Sequence, residues 1–162
     1  MFTGIIQGQA ILANKIEDSN SFSIKTDLDL SDCKIGSSIS CDGVCLTVTS
    51  INYKDSFYFF NVNIGEETFN RTTAQYWDNN YKINLEKSLK VGDEISGHFV
   101  YGHIDSVCKI LEIKSLEHSW EFKFEKTFYE NNHFIVEKGS ISINGISLTV
   151  ANVEKDSFVI SI

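Results

Sequence analysis

Proline is absent from this chain, where average usage would supply about eight. Its tight turns must therefore rest on glycine, asparagine and aspartate. The four cysteines, Cys33, Cys41, Cys45 and Cys108, form no Cys-x-x-Cys pair and have no histidine at zinc-finger spacing, which excludes the common zinc and dithiol motifs. Free thiols are expected. No apolar run approaches the ~18 residues of a spanning helix. The opening Met1-Phe2-Thr3-Gly4-Ile5-Ile6 has no basic leader and breaks at Gln7, so no signal peptide is read and a cytoplasmic location is expected, with no membrane partner. Positive charge is scarce: 14 Lys and Arg stand against 22 Asp and Glu, a net charge of −8. Such a chain repels the phosphate backbone, so no nucleic-acid partner is expected.

What is present is a repeat. Residues 37–48 read SSISCDGVCLTV and residues 139–150 read GSISINGISLTV, identical at seven of twelve positions. Lys54-Asp55-Ser56-Phe57 returns as Lys155-Asp156-Ser157-Phe158, and Thr3-Gly4-Ile5-Ile6 lines up with Tyr101-Gly102-His103-Ile104. A spacing near 100 residues is too long for a solenoid unit. The chain reads as a duplication of one small domain, with residues 1–97 as the first unit and its linker and 98–162 as the second. On the Lys-Asp-Ser-Phe match Ile162 stands at the place of Asn61, so counterparts of residues 62–87 are expected to be lacking and the second unit incomplete.

Asp42-Gly43 and Asn144-Gly145 are strong signals for two-residue hairpin turns. With Asp42-Gly43 as the turn, Cys41 pairs with Val44, Ser40 with Cys45, Ile39 with Leu46 and Ser38 with Thr47. Strand alternation then places Ile39, Cys41, Val44, Leu46 and Val48 on one face and Ser38, Ser40, Cys45, Thr47 and Thr49 on the other. The second copy sorts alike: Ile141, Ile143, Ile146, Leu148 and Val150 against Ser140, Ser142, Ser147 and Thr149. The first face is core. The second is small and hydroxylic, without the Lys, Glu and Arg of an ordinary wet strand, and suits close approach of a flat polar ligand. The remainder is also β in pattern: Trp120, Phe122 and Phe124 alternate with charged residues, Tyr58–Ile64 is aromatic and β-branched, and Ile83–Leu85 is a short strand. Thr127–Val136 reads as one short helix. The expected fold is all-β, a tandem duplication of a small six-stranded Greek-key barrel, with residues 88–97 as linker.

Several segments together resemble the riboflavin synthase family. They are the N-terminal Met1–Ile6, Asp42-Gly43-Val44-Cys45-Leu46-Thr47-Val48, Glu67-Thr68-Phe69-Asn70-Arg71-Thr72-Thr73 and Ile83-Asn84-Leu85-Glu86. Gly97-His98-Phe99-Val100-Tyr101-Gly102-His103-Ile104-Asp105 is similar to that family's G-H-x-x-x-G-H-[IV] signature. Lys138-Gly139-Ser140-Ile141 and Asn144-Gly145-Ile146-Ser147-Leu148-Thr149-Val150 match its second barrel. The resemblance runs from residue 1 to residue 162.

It implies an enzyme that binds two molecules of 6,7-dimethyl-8-ribityllumazine and moves a four-carbon unit from one to the other, giving riboflavin and a ribitylamino-pyrimidinedione without cofactor or metal. The C7 methyl of the lumazine is acidic, so such an enzyme works mainly by holding two heterocycles in place. The family pattern implies a first pocket at Gly4, Ile5, Ile6, Cys45, Leu46, Thr47 and the segment Asn63, Ile64, Gly65, Glu66, Glu67, Thr68, with Ser38 on the same hydroxylic face. It implies a second at Gly102, His103, Ile104, Lys138, Ser147, Leu148 and Thr149. Cys45, His103 and Ser147 are the catalytic candidates: Cys45 as nucleophile or hydrogen-bonding group, His103 as acid or base near the working pH. His98 reads as structural in the linker, Cys41 as core, and His118 and His133 as without a role. Phe2 either caps the barrel or stacks near substrate. The family also implies a homotrimer with sites between subunits. The alternatives are a non-catalytic lumazine- or flavin-binding antenna protein, or an interaction module derived from a degenerate duplicate.

Overall fold

The computed structural model describes residues 1–16, 20–127 and 134–162. The helix expected over 127–136 falls largely on residues 128–133, and His133 with it, outside the described residues. The first unit contains β1 (Gly8–Lys15), β2 (Ser21–Thr26), β3 (Ser38–Cys41), β4 (Val44–Lys54), β5 (Phe57–Asn63), the short helix α1 (Glu66–Arg71), a 3-10 turn at Thr73–Tyr76 and β6 (Lys82–Lys87). The second contains β7 (Ile110–Ser115), β8 (Trp120–Glu125), β9 (Ser140–Ile143), β10 (Ile146–Val153) and β11 (Ser157–Ser161). Among the described residues no helix is long and apolar enough to cross a membrane.

The first six strands close into an antiparallel barrel in the order β1-β2-β5-β4-β3-β6, with β6 returning to pair β1. The later five form a sheet in the order β7-β8-β11-β10-β9, which is the first order without its closing strand. The fold is the all-β duplication expected, with the second copy open among the described residues. Its core shows the difference. Inside the closed barrel Leu12, Ile24, Ile39, Phe60, Val62, Ile83 and Leu85 are completely buried. In the open sheet the fully shielded cluster is small, Phe124, Val150, Phe158 and Ile160, while Ile141, Ile143 and Leu148 are half-buried against it.

Both hairpins take the expected register. Cys41↔Val44, Ser40↔Cys45, Ile39↔Leu46 and Ser38↔Thr47 pair in the first, and Ile143↔Ile146, Ser142↔Ser147, Ile141↔Leu148 and Ser140↔Thr149 in the second. The turn residues have φ of 49° and 86° at Asp42-Gly43 and 48° and 81° at Asn144-Gly145. That left-handed pair is the geometry that matches strand twist in a two-residue turn.

The Lys-Asp-Ser-Phe repeat is a sequence identity without structural equivalence. In the first unit Ile51 pairs with Phe60, and the hairpin runs on through Asn52↔Phe59, Tyr53↔Tyr58 and Lys54↔Phe57 before it turns. In the second, Val153 pairs with Phe158 and the chain turns at once. Phe158 therefore takes the place of Phe60, not of Phe57. The neighbouring strands agree, since Ile24↔Phe60 corresponds to Phe124↔Phe158 and Phe22↔Val62 to Phe122↔Ile160. Burial decides between the two alignments: Phe158 and Ile160 are core, as Phe60 and Val62 are, whereas Phe57 and Phe59 are half-exposed. By this structural alignment Ile162 stands at the place of Ile64 rather than Asn61.

Candidate functional site

The two units meet about a local two-fold. Phe2, fully buried, forms an antiparallel bridge to Val100: its N–H donates to the Val100 carbonyl at 2.7 Å, and its carbonyl accepts the Val100 N–H at 3.0 Å. Phe2 is thus a buried part of the junction. Beside it the hairpins touch turn to turn, so close that a Cβ on Gly43 would lie 2.8 Å from the Gly145 nitrogen.

The bridge sends the two flanking segments in opposite directions, and each crosses onto the other unit's hairpin. The Cys45 N–H donates to the Gly102 carbonyl at 2.8 Å, and the Ser147 N–H donates to the Gly4 carbonyl at 2.8 Å. Gly102 and Gly4 have φ of 77° and 78°, and a Cβ at either would approach the Cβ of Cys45 or Ser147 to 2.5 or 2.7 Å. The expected grouping is thereby corrected. Gly4, Ile5 and Ile6 belong with Ser147, Leu148 and Thr149, and Gly102, His103 and Ile104 belong with Cys45, Leu46 and Thr47. Direct alignment of the two copies pairs each arm with its own hairpin; the antiparallel bridge exchanges them.

The side chains divide as alternation requires. Cys45 and Ser147 are half-buried on the hydroxylic faces, Thr47 and Thr149 are exposed, and Ser38 is half-buried. Leu46 and Ile64 point into the barrel core, so they can offer a ligand only backbone groups. Asn63 lies one step past the Val48↔Val62 pair and so beside Thr47. Gly65, Glu66, Glu67 and Thr68 continue from it into the first turn of α1. Ile104 packs against the first barrel's core. Lys138, exposed at φ 63°, sits in the turn before β9, its N–H bonded to the Val150 carbonyl at 2.8 Å. His118 lies in an exposed turn beside Glu117.

The two histidines of this segment differ in burial. His103 is exposed on its arm. His98 is half-buried, and its Nδ1 lies 2.6 Å from the Ser147 Oγ. Burial lowers the His98 pKa below the ordinary imidazole value, which favours the neutral ring. With the proton on Nε2, the serine hydroxyl donates to Nδ1. His98 is thus the histidine that touches a candidate catalytic group, rather than a linker residue alone. The signal was present in Gly97-His98: a Cβ on Gly97 would lie 2.9 Å from the Ser147 Cβ and closer still to the Thr3 carbonyl.

Two acidic residues at this junction were not among the expected site residues. Glu86 is almost fully buried and accepts three bonds, from the Thr3 N–H, the Thr3 hydroxyl and the Gly4 N–H. On its strand it pairs across to Ser40, which in turn pairs with Cys45. Asp42, buried in the turn, accepts from the Asn84 N–H at 2.8 Å, while the Asn84 side-chain amide donates to the Asn144 carbonyl at 3.2 Å. Burial pushes the Asp42 carboxyl up to about 6, against the lowering effect of hydrogen bonds from Asn84 and the Tyr81 hydroxyl. Burial likewise pushes the Cys41 thiol well up, in keeping with its place in the core.

The chain is similar to known proteins over its whole length. A family model described as lumazine binding domain matches residues 3–88 and again 101–162. A riboflavin synthase of Brucella abortus (strain 2308) is 39% identical over 161 residues, spanning 98% of this chain and 79% of that protein. One of Chlamydia trachomatis serovar D is 41% identical over 164 residues, spanning 100% of this chain and 77% of its own. Among solved structures, that of LumP complexed with riboflavin superposes with a TM-score of 0.82 at 22% identity, over 99% of this chain and 86% of that one. At that identity the likeness speaks for the fold.

Proposed function

The chain belongs to the lumazine binding domain family, as the riboflavin synthases do, and from that premise we propose that it is a riboflavin synthase, a transferase acting on two molecules of 6,7-dimethyl-8-ribityllumazine. One gives up a four-carbon unit to the other, and the products are riboflavin and 5-amino-6-ribitylaminouracil. The observation that carries this reading is the pair of hydroxylic strand faces, each closed by a glycine arm from the other unit. Two related but non-identical pockets, one with a thiol and one with a serine, suit a reaction in which two copies of one substrate play different parts.

In this reading the first pocket is formed by Cys45, Thr47 and Asn63–Thr68 with the arm Gly102-His103-Ile104. The second is formed by Ser147, Thr149 and Lys138 with the arm Gly4-Ile5-Ile6. The exposed backbone of the arms and strand edges supplies donors and acceptors for the ring carbonyls, and the hydroxyls and Lys138 serve the ribityl chain. Neutral His98 draws the proton of the Ser147 hydroxyl, so that the serine oxygen can take a proton from the acidic C7 methyl, which is general base catalysis at a held substrate. Cys45 faces the second substrate as nucleophile or hydrogen-bonding group. We extend the proposal to residues 1–97 and 98–162 as the two binding halves, to a homotrimer in which pockets of neighbouring subunits face each other, and to a cytoplasmic location.

The test is direct. Purified protein is incubated with 6,7-dimethyl-8-ribityllumazine while riboflavin absorbance is followed. Turnover of lumazine to riboflavin supports the reading. Tight, saturable binding of lumazine with no riboflavin formed would replace it with a binding protein.

A further inference from the structure

We propose that Glu86 is the positioning residue of the second pocket, holding the Gly4 arm and, through it, the His98–Ser147 pair. The inference rests on the assignment of that pocket above. Glu86 comes from β6, a strand of the first barrel, yet everything it holds faces the second unit. Its Oε1 accepts the Thr3 N–H at 2.6 Å and the Thr3 hydroxyl at 2.8 Å, and its Oε2 accepts the Gly4 N–H at 2.9 Å. A buried carboxylate with donors on both oxygens fixes an arm in position as well as in orientation, because charge-assisted bonds are short and directional.

From this anchor two bonds run onward. The Thr3 carbonyl accepts the His98 N–H at 3.0 Å, and the Gly4 carbonyl accepts the Ser147 N–H at 2.8 Å. The two residues so held then meet each other, His98 Nδ1 at 2.6 Å from Ser147 Oγ. One carboxylate therefore sets the backbone under both members of the pair without touching either side chain. Strand alternation explains how it can. Ile83 and Leu85 point into the barrel, so Glu86 lies on the opposite face, level with Ser40 and Cys45. The Gly102 arm on Cys45 shows no carboxylate anchor of this kind among the described residues.

The experiment compares wild type with Glu86→Gln and the milder Thr3→Val, which removes one of the three bonds and leaves the barrel untouched. Amide hydrogen exchange at Ser147 and Cys45 is measured in each. Glu86→Gln should speed exchange at Ser147 about tenfold or more, the loss of about 1.4 kcal/mol of protection, while Cys45 keeps its wild-type rate. Thr3→Val should move Ser147 the same way by less, and it carries the test alone if Glu86→Gln does not fold. Equal acceleration at both amides, or none at Ser147, overturns the proposal, since a merely structural role would loosen both arms. Riboflavin titration of the same proteins provides the second readout: the dissociation constant should rise about tenfold in Glu86→Gln, and an unchanged value where wild type binds overturns the positioning role. Failure of the wild type itself to bind riboflavin would count against the proposed function, and the exchange comparison would still decide the role of Glu86.

Discussion

The Gly102 carbonyl and the Cys45 N–H form a 2.8 Å bond across the junction of the two units, and the space between them leaves no room for a side chain. A Cβ on Gly102 would stand 2.5 Å from the Cys45 Cβ, at a φ of 77° that L residues rarely adopt. Left-handed strain alone costs about 1–2 kcal/mol in a residue with a Cβ. Gly102→Ala should therefore lift the arm off the first pocket and cut riboflavin formation sharply, with only a modest fall in melting temperature, because the barrel core is untouched. Gly4→Ala should do the same at Ser147. Thermal melts and lumazine turnover on both variants check this.

The two cysteines of the first hairpin should separate cleanly. Cys41 is fully buried on the core face and Cys45 half-buried on the other. Cys41→Ser places an unpaired hydroxyl among apolar side chains and should cost about 1–3 kcal/mol in urea unfolding. Cys45→Ser should leave stability nearly unchanged and lower kcat. If Cys41→Ser slowed turnover at an unchanged melting temperature, the assignment of faces would be reversed.

These contrasts show which parts of the molecule the sequence could reveal. The hairpins were legible to the individual pair, because Asp42-Gly43 and Asn144-Gly145 force both the turn and the register, and with it the face on which Cys45 and Ser147 lie. The exchange of arms was not legible. It depends on the Phe2–Val100 bridge, an isolated contact between segments with no strand pattern of their own. The Lys-Asp-Ser-Phe repeat misled, because a shortened hairpin keeps a turn sequence while shifting its place in the sheet. Helix α1, six residues after Gly65 with no side-chain cap, is too short to show helical periodicity. Glu86 was visible as a charge at a position that alternation puts outside the core; its burial goes with the Thr3-Gly4 arm that bonds to it on that face.

The buried Asp42 should make stability depend on pH in a stated direction. Its carboxyl is raised from the ordinary 3.8 to about 6, so the folded state holds this proton more tightly than the unfolded chain does. Its contribution is full below the ordinary carboxylate range and is lost as pH rises through about 6, to a total of at most about 3 kcal/mol. Asp42→Asn keeps an acceptor for the Asn84 N–H and copies Asn144 of the second turn. It should be more stable than wild type at pH 7 and lack this loss between pH 4 and 6. Parallel unfolding profiles for the two proteins across that range would show that Asp42 does not titrate there.

Order should be unequal between the units. β6 closes the first barrel against both β1 and β3, whereas the edges of β7 and β9 are unpaired among the described residues and Ile110 and Ile113 are about half exposed. Hydrogen exchange should protect β2, β4 and β5 most, and β7 and β9 least. Equal protection in both sheets would mean that the open edges are covered in solution, as by a partner strand from another chain.

The His98–Ser147 contact makes the sharpest demand on the proposed chemistry. The two atoms lie 2.6 Å apart, and burial keeps His98 below the ordinary imidazole pKa. A neutral ring is the form that can draw the serine proton, so the acid limb of the rate profile should lie below the usual histidine value of about 6.5. Ser147→Ala and His98→Gln should each lower kcat by about 10²–10⁴, with little change in KM, because neither removes the pocket. The double variant should be scarcely worse than either single one, as expected for groups that act as a unit. His103→Gln serves as the comparison. Its side chain is exposed on the Gly102 arm, and its loss should alter KM more than kcat. If His103→Gln instead abolished the acid limb while His98→Gln left it in place, the proton would pass through His103, and the pair at Ser147 would be an anchor for the linker alone.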